Sequence, residues 1–465
     1  MRRLFDSYFS ARMGLAMALA AILTINSWAQ NVVQGKVVQP TSVPAAMVAK
    51  DVPLPPLEAI LSRAKNNPYI YGIYTYKGAY LQHRQDIKQI GWKSFRLWGP
   101  LDDEIVDALV EDDVRVLKPI SAGTKQDADP AGDQAYIDNT LKEVAEMSQK
   151  WAPKFKPHRF YLELGNEPNF QYLIKPDNRP QEQQVADRAA LYAKLLVAVH
   201  QALAGTNVPL VGIAAGGASA ADVDFIDQVH KKDPAVAQSY DILSTHPYAA
   251  FPDAYEKAPW GPWTITGSYN RIREIMAAHG AGDKPVWYSE VGWQISKEEG
   301  GSYKLDENPA TPERKLSTTP ELQAAYTCRL YAIAQRLGVE CVTNMNMVDT
   351  DGYNGGFFAD DGSWRPSAHA VQTMTRLMPA PKLVEAIGDG KDGYFAYRFQ
   401  PSDNAASSVI MLWNTQGVKT ATVPVTGTQV KFVDMLGNEQ DVVPANGKVS
   451  VETGPLPVYL QVNGS

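Results

Sequence analysis

Short runs of apolar and β-branched residues alternate along most of the chain with longer stretches in which apolar residues recur every three or four positions. The first pattern predicts a strand and the second an amphipathic helix. Strand-type runs fall at Tyr69–Tyr76, Ser94–Trp98, Val114–Ile120, Phe160–Leu164, Pro209–Ala215, Asp241–His246, Pro285–Val291 and Glu340–Val348. Helical patterns separate them around Leu81–Ile90, Asp103–Glu111, Tyr136–Trp151, Gln181–Ala204, Ala221–His230, Ser268–His279 and Pro320–Leu337, and a last one follows near Ala368–Leu377. Eight strands, each followed by a helix, predict an α/β fold of the (β/α)₈ TIM barrel kind over residues 58–380. The competing architecture, an open doubly wound sheet, needs a glycine-rich phosphate loop after its first strand. Thr75-Tyr76-Lys77-Gly78 is not one.

From about Lys382 the period changes. Asp392–Arg398, Ser408–Trp413, Ala421–Val425, Val430–Asp434, Asp441–Pro444, Val449–Glu452 and Val458–Gln461 alternate with turn clusters such as Gly388-Asp389-Gly390, and no helix-length pattern intervenes. Residues 381–465 therefore predict a small C-terminal antiparallel β-sandwich.

The first residues differ from the rest. Arg2, Arg3 and Arg12 precede an apolar run from Met13 to Ile25, and Ser27-Trp28-Ala29 offers a small-x-small cleavage site. That run is shorter than the roughly 20 residues a membrane span needs. It predicts a signal peptide over 1–29 and an exported protein, periplasmic or extracellular, with no stable membrane span after cleavage. Residues 30–57, rich in Val and Pro, are either a linker or an edge strand. Removing residues 1–29 takes away three Arg and one Asp, so the net charge of −7 becomes −9. An acidic surface without a basic run argues against nucleic acid and anionic membranes as partners. Cys328 and Cys341 flank most of a helical turn region that would hold them about 13–15 Å apart, beyond disulfide reach. Two buried free thiols are expected.

In a barrel of this kind the chemistry comes from the C-terminal ends of the strands. The fourth run, Phe160–Leu164, stops at Gly165-Asn166-Glu167-Pro168-Asn169, where Pro168 cannot extend a ladder. The seventh ends in Ser289-Glu290, the sixth in His246 followed by Pro247 and Tyr248, and the second in Arg96 and Trp98. Two carboxylates facing each other across a barrel mouth can flank one glycosidic bond, as hydrolysis of that bond requires. Strict alternation cannot turn both Asn166 and Glu167 inward, so the strand must break or bulge at Gly165. The bland alternative for both acids is a solvated surface position, which leaves unexplained why each ends an apolar strand.

The Gly165–Asn169 motif together with Ser289-Glu290 resembles clan A of the retaining glycoside hydrolases. His246-Pro247-Tyr248 is similar to glycoside hydrolase family 39, the family of β-xylosidases, α-L-iduronidases and exopolysaccharide glycosidases. The stretches His246–Gly292 and Asp349–Ala370 look most like its exopolysaccharide members. The resemblance implies a (β/α)₈ barrel acting on a carbohydrate, with Glu167 as acid/base and Glu290 as nucleophile. It also implies that Asn166 binds the sugar's 2-hydroxyl, that Arg96 and the strand-six groups His246 and Tyr248 serve Glu290, and that no organic or metal cofactor is required. Tyr288, placed inward by alternation, either donates to Glu290 or packs. Arg96 has a second reading, a structural network with Glu163 and Lys118. Trp98, Trp260, Trp263 and Trp293 fall on loops at the same face, each either packing or a platform for a sugar ring. Asn344-Met345-Asn346-Met347 stands where many clan A enzymes end strand eight with Trp, a departure that touches the floor of the sugar subsite.

Other motifs lead elsewhere. Gly217-Ala218-Ser219 lacks the closing glycine of a nucleophile elbow, and Ser219 reads as a helix N-cap. Asp349-Thr350-Asp351 with Asn354 lacks the glycine of a calcium loop, and no zinc spacing occurs. The long polar loop Gln294–Thr319 is either a cleft wall or a surface excursion. With Trp260 and Trp263 it would frame a groove suited to a polymeric substrate.

Overall fold

The computed structural model describes residues 54–463, apart from 122, 171, 218–222, 250–251, 253–264, 296–316, 351–352 and 403–406. The expected signal peptide, most of segment 30–57, Trp260, Trp263, Ser219 and the body of the Gln294–Thr319 loop lie outside the described residues.

Helix α1 (Leu57–Arg63) precedes a closed barrel of eight strands. These are β1 (Tyr71–Tyr76), β2 (Ser94–Trp98), β3 (Arg115–Ile120), β4 (Phe160–Leu164), β5 (Leu210–Gly217), β6 (Ile242–Pro247), β7 (Val286–Val291) and β8 (Val342–Asn344). Every neighbouring pair is parallel, and β8 closes on β1 with Tyr71 opposite Val342. The connecting helices are α2 (Lys77–Gln82), α3 (Arg84–Ile90), α4 (Asp103–Glu111), α5 (Asp133–Glu146), α6 (Gln181–Ala202), α7 (Val223–Lys232), α8 (Ile265–Ala278), α9 (Pro320–Leu337) and α10 (Pro366–Leu377). The pattern expected over Leu81–Ile90 is split at His83 into α2 and α3, and β8 is much shorter than its apolar run. Among the described residues no helix is long and apolar enough to cross a membrane.

Five strands, and the residue just before β8, send one side chain each to a single buried cluster, Leu117, Tyr161, Val211, Ile242, Trp287 and Cys341. Side chains from so many strands meet only on the barrel axis, so this layer plugs its N-terminal half. Arg115 lies over the Trp287 ring at 4.3 Å and donates to the Ser94 hydroxyl, so its charge stays partnered in that layer. Lys118 belongs to the other face of β3. Burial lowers its pKa, and the charge it feels most is Glu143 on α5, not the barrel axis.

Alternation fails at two strands. On β5 the pairing with β6 shifts between Ile213 and Ala215, and Ile213 and Ala214 have φ of +84° and +45°. On β7, Tyr288 pairs with Val342 but Val291 pairs with Asn344, so three steps on one strand match two on the other. Each is a bulge, which re-aims the side chains that follow it.

After α10 comes the sandwich: β9 (Lys382–Asp389), β10 (Tyr394–Gln400), β11 (Ser407–Asn414), β12 (Lys419–Pro424), β13 (Gln429–Val433), β14 (Glu439–Val442), β15 (Lys448–Thr453) and β16 (Val458–Asn463). A six-stranded sheet runs β9-β10-β11-β16-β13-β14, and β12 pairs with β15 as a second sheet. Alternation serves two cores here. Ile410, Leu412, Leu460 and Val462 pack on Val423, Val449 and Val451 of the small sheet. Phe395, Tyr397, Phe399, Val409, Met411, Trp413 and Tyr459 join the barrel's own core. Arg336 of α9 completes the junction with Asp389, at 2.9 Å. Cys328 and Cys341 are both free and buried, as expected.

Candidate active site

The chain leaves β4 through Gly165, at φ +79°, into Glu167, at φ +45°. The strand therefore breaks where its only glycine allows, and Asn166 and Glu167 both reach the mouth. The Glu167 amide donates to the Ala214 carbonyl, which the β5 bulge turns toward it (3.0 Å). Asn169 brackets Gly216, its Nδ2 donating to the Gly216 carbonyl and its Oδ1 accepting from the Gly216 amide. The bracket holds bare backbone beneath the glutamate. A Cβ at position 216 would sit 2.2 Å from Glu167 Oε1, so only glycine leaves room for that carboxylate. From α6, the Tyr192 hydroxyl donates to the Leu164 carbonyl and accepts from the Ile213 amide, tying the end of β4 to the bulge of β5.

Glu290 is held differently. Arg96, fully buried, donates from Nη1 to Glu290 Oε2 (2.6 Å), from Nε to Glu163 Oε2 (2.6 Å) and from Nη2 to Asn166 Oδ1 (2.8 Å). Glu163 also accepts from the Ser244 hydroxyl, at 2.9 Å. Arg96 thus joins a buried network with Glu163 and also touches Glu290, whereas Lys118, expected in that network, lies on the other face of β3. Tyr248 donates to Glu290 Oε1 (2.6 Å), with the Met345 sulfur 3.0 Å from the same hydroxyl. Met345 thus lies beside the Tyr248–Glu290 pair. Burial alone pushes the Glu290 carboxyl up. The neighbouring His246 ring, the Arg96 guanidinium and the Tyr248 hydroxyl outweigh it and hold Glu290 below the ordinary carboxylate range. Burial would lower the Arg96 pKa, but Glu163 and Glu290 raise it, so the guanidinium stays charged. Tyr248 is raised well above its usual value, by burial first and then by Glu290. Tyr74, near the same guanidinium, is pushed up to about 12, mainly by burial.

His246, fully buried, lies with Nδ1 3.1 Å from Glu167 Oε1. Its direct contact is thus with Glu167, while it also helps hold the Glu290 pKa down, the group to which the resemblance assigns it. One oxygen of Glu167, one nitrogen of His246 and one oxygen of Glu290 lie within 4.8 Å of one another. Such a triplet has cation-binding size, but both Glu290 oxygens already accept bonds and a cation there would face the Arg96 guanidinium.

Arg96, Trp98, Asn166, Glu167, His246, Tyr248 and Glu290 therefore converge at one rim. Trp98 is 39% exposed, its ring 5.6 Å from the Arg96 guanidinium. Two expected residues stand elsewhere. Tyr288 is buried in the core, its hydroxyl makes no hydrogen bond among the described residues, and it feels Tyr269 of α8; the β7 bulge after it leaves Tyr288 on the helix side while Glu290 faces the mouth. Trp293 is buried, donates to the Ala249 carbonyl and packs edge-on against Tyr326 of α9, so it offers no face to a sugar. Gly216, Asn169, Tyr192 and Tyr74 are supporting residues that the strand pattern did not single out. The Gly216-Gly217 pair and the Glu167-Pro168-Asn169 turn were the signals available for the first two.

A closed parallel barrel with a glutamate at the ends of β4 and β7 is an architecture that glycoside hydrolases use. No protein-family profile and no curated protein sequence matches the chain. Among solved structures it is similar to a family 39 glycoside hydrolase from the gut symbiont Bacteroides cellulosilyticus WH2, at 18% identity and a TM-score of 0.61, covering 86% of this chain and 81% of that one. It is also similar to an α-L-arabinofuranosidase from Thermotoga maritima (10% identity, TM-score 0.57, 86% and 97% covered). A third is a 4-O-α-L-rhamnosyl-β-D-glucuronidase from Fusarium oxysporum 12S (12% identity, TM-score 0.57, 91% and 99% covered). At these identities the likeness is one of fold.

Proposed function

We propose that the protein is a retaining O-glycoside hydrolase in which Glu290 attacks the anomeric carbon and Glu167 protonates, then deprotonates, the oxygen at the scissile bond. The observation that carries this reading is the approach of the two carboxylates to within 4.8 Å. Retention goes with carboxyls about 5–5.5 Å apart, whereas inversion needs about 6.5–9.5 Å to seat a water. The surroundings support the division of roles. Glu290, ionised by Arg96 and Tyr248, suits attack, and Glu167, on an imidazole at the open rim, suits proton transfer. Asn166, its oxygen fixed by Arg96, keeps its Nδ2 to donate to a sugar hydroxyl. The fold shared with glycoside hydrolases agrees with this reading. The basic and apolar N-terminal run supports export, and with it an extracellular or periplasmic polysaccharide as substrate.

A non-catalytic polysaccharide-binding barrel would have no need to hold these carboxylates together. The test is a panel of aryl glycosides and bacterial polysaccharides with wild type and Glu290→Gln, following the anomeric configuration of the first product by NMR. We expect retention, and a loss on the order of 10⁴–10⁶-fold in kcat for Glu290→Gln. An inverted product, or a variant as active as wild type, overturns the assignment. Binding without turnover by the wild type supports the non-catalytic barrel.

A further inference from the structure

Beside the glutamate pair, the loops after β3 and β4 enclose a second cavity of about 360 Å³. Two residues belong to both spaces. Trp98 lies over the Arg96 guanidinium, Asn166 accepts from it, and both line this cavity. The far end is shut by the helices, where Thr140 of α5 and Tyr192 and Leu195 of α6 are all buried. Among the described residues no Asp, Glu, Lys, Arg or His lines it, although such side chains crowd the centre next door. The rim carries two exposed aromatic rings, Trp98 at 39% and Tyr172 at 48%. Among the described residues, Asn166 Nδ2 has no hydrogen-bond partner.

We infer that this cavity is a subsite for one neutral, terminal sugar unit joined to the sugar held between Glu167 and Glu290. The inference rests on the hydrolase reading for the position of that second sugar. Its volume falls within the ~300–1,000 Å³ of pockets that enclose small organic ligands, and far exceeds the needs of an acetyl or methyl substituent. Apolar walls with an amide and a few hydroxyls suit a ring that has a C–H face and a hydroxyl edge. A carboxylated or sulfated sugar would lose its hydration there and gain no charged partner. Because the helices close the far end, the glycan cannot continue, and the unit is either a one-residue side branch or a chain end.

The test has two arms. In the first, wild type and Thr124→Trp are titrated by saturation-transfer NMR with neutral pentoses, hexoses and 6-deoxyhexoses, and with uronic acids. Thr124 lines the cavity and contacts no group at the glutamate pair, so the indole fills the cavity without touching Glu167 or Glu290. At least one neutral sugar should bind, Thr124→Trp should weaken it tenfold or more, and Tyr172→Ala, at the exposed rim, roughly fivefold. The uronic acids should show no binding that Thr124→Trp removes. No neutral sugar binding, or binding indifferent to both substitutions, overturns the subsite. In the second arm, kcat/KM is compared on an aryl monoglycoside and on branched and linear oligosaccharides. Thr124→Trp should leave the aryl substrate unchanged and slow the substrates that place a neutral unit in the cavity. Equal slowing of all substrates also overturns it. Loss on branched substrates identifies a side branch, and loss on linear ones a chain end. If no glycoside is cleaved while the binding arm behaves as stated, the hydrolase reading fails and the sugar pocket stands.

Discussion

Glu167 and Glu290 are the same side chain at the same rim, yet they are held in opposite ways. Glu290 leaves a bulged strand and meets a buried guanidinium and a phenol, each 2.6 Å away. Glu167 leaves a left-handed turn, lies over a bare glycine and meets one imidazole at 3.1 Å. The first environment fixes a charge; the second fixes a position. In the proposed hydrolase reading, partner count rather than residue type would separate the nucleophile from the acid.

That contrast can be broken from either side. After Glu290→Gln, the next largest effect expected is from Glu167→Gln, roughly 10²–10⁴-fold in kcat/KM on substrates with poor leaving groups. With a dinitrophenyl leaving group, which departs without a proton, the first step should be nearly normal; equal losses on both substrates would remove Glu167 from the acid role. Gly216→Ala places a Cβ where the Glu167 carboxylate lies and should cost about 100-fold in rate, since small misplacements are that costly. Its melting temperature should stay close to wild type, and a full-rate variant would show that Glu167 works from another position.

Tyr248→Phe removes one donor from Glu290, worth about 1.5–3 kcal/mol for a bond to a charged group, or roughly 10–100-fold in kcat/KM. It should also move the acidic limb of the pH profile. A carboxylate held low is ionised above its lowered pKa, and activity falls as pH drops through that value. Without the phenol the pKa rises, so the loss begins about one pH unit higher. An unmoved limb would mean that Arg96 alone sets the ionisation. The smallest effect belongs to Tyr288→Phe, which deletes a buried hydroxyl without a hydrogen bond among the described residues. Activity should not change, and stability by no more than about 1 kcal/mol.

The barrel was legible because each strand and helix carries its own period, and both glutamates because each ends an apolar strand beside a turn former. Gly165 announced the break in β4. The bulges did not announce themselves. Ile213 and Ala214 adopt positive φ with side chains that seldom do, a price set by tertiary packing around Tyr192, not by local preference. Counting alternate residues along β7 places Tyr288 inward on the same side as Glu290, whereas the bulge between them sets the two on opposite sides. Trp293 follows the same strand closely enough to suggest a sugar platform, and only the partner of its indole nitrogen shows that it packs. Lys118 reads as a barrel charge until the facing helix supplies Glu143.

The six-stranded sheet has a consequence for how the molecule can be divided. Its strands carry aromatic residues on the face toward the barrel and aliphatic ones on the other, so neither half owns the sheet. Ending the chain at Leu377 would bare the underside of α9 and α10 to water, and an isolated tail would present Phe395, Tyr397 and Trp413 as a sticky plate. The C-terminal module behaves as a lid screwed onto the barrel's flank: detach it and both pieces are left looking for cover.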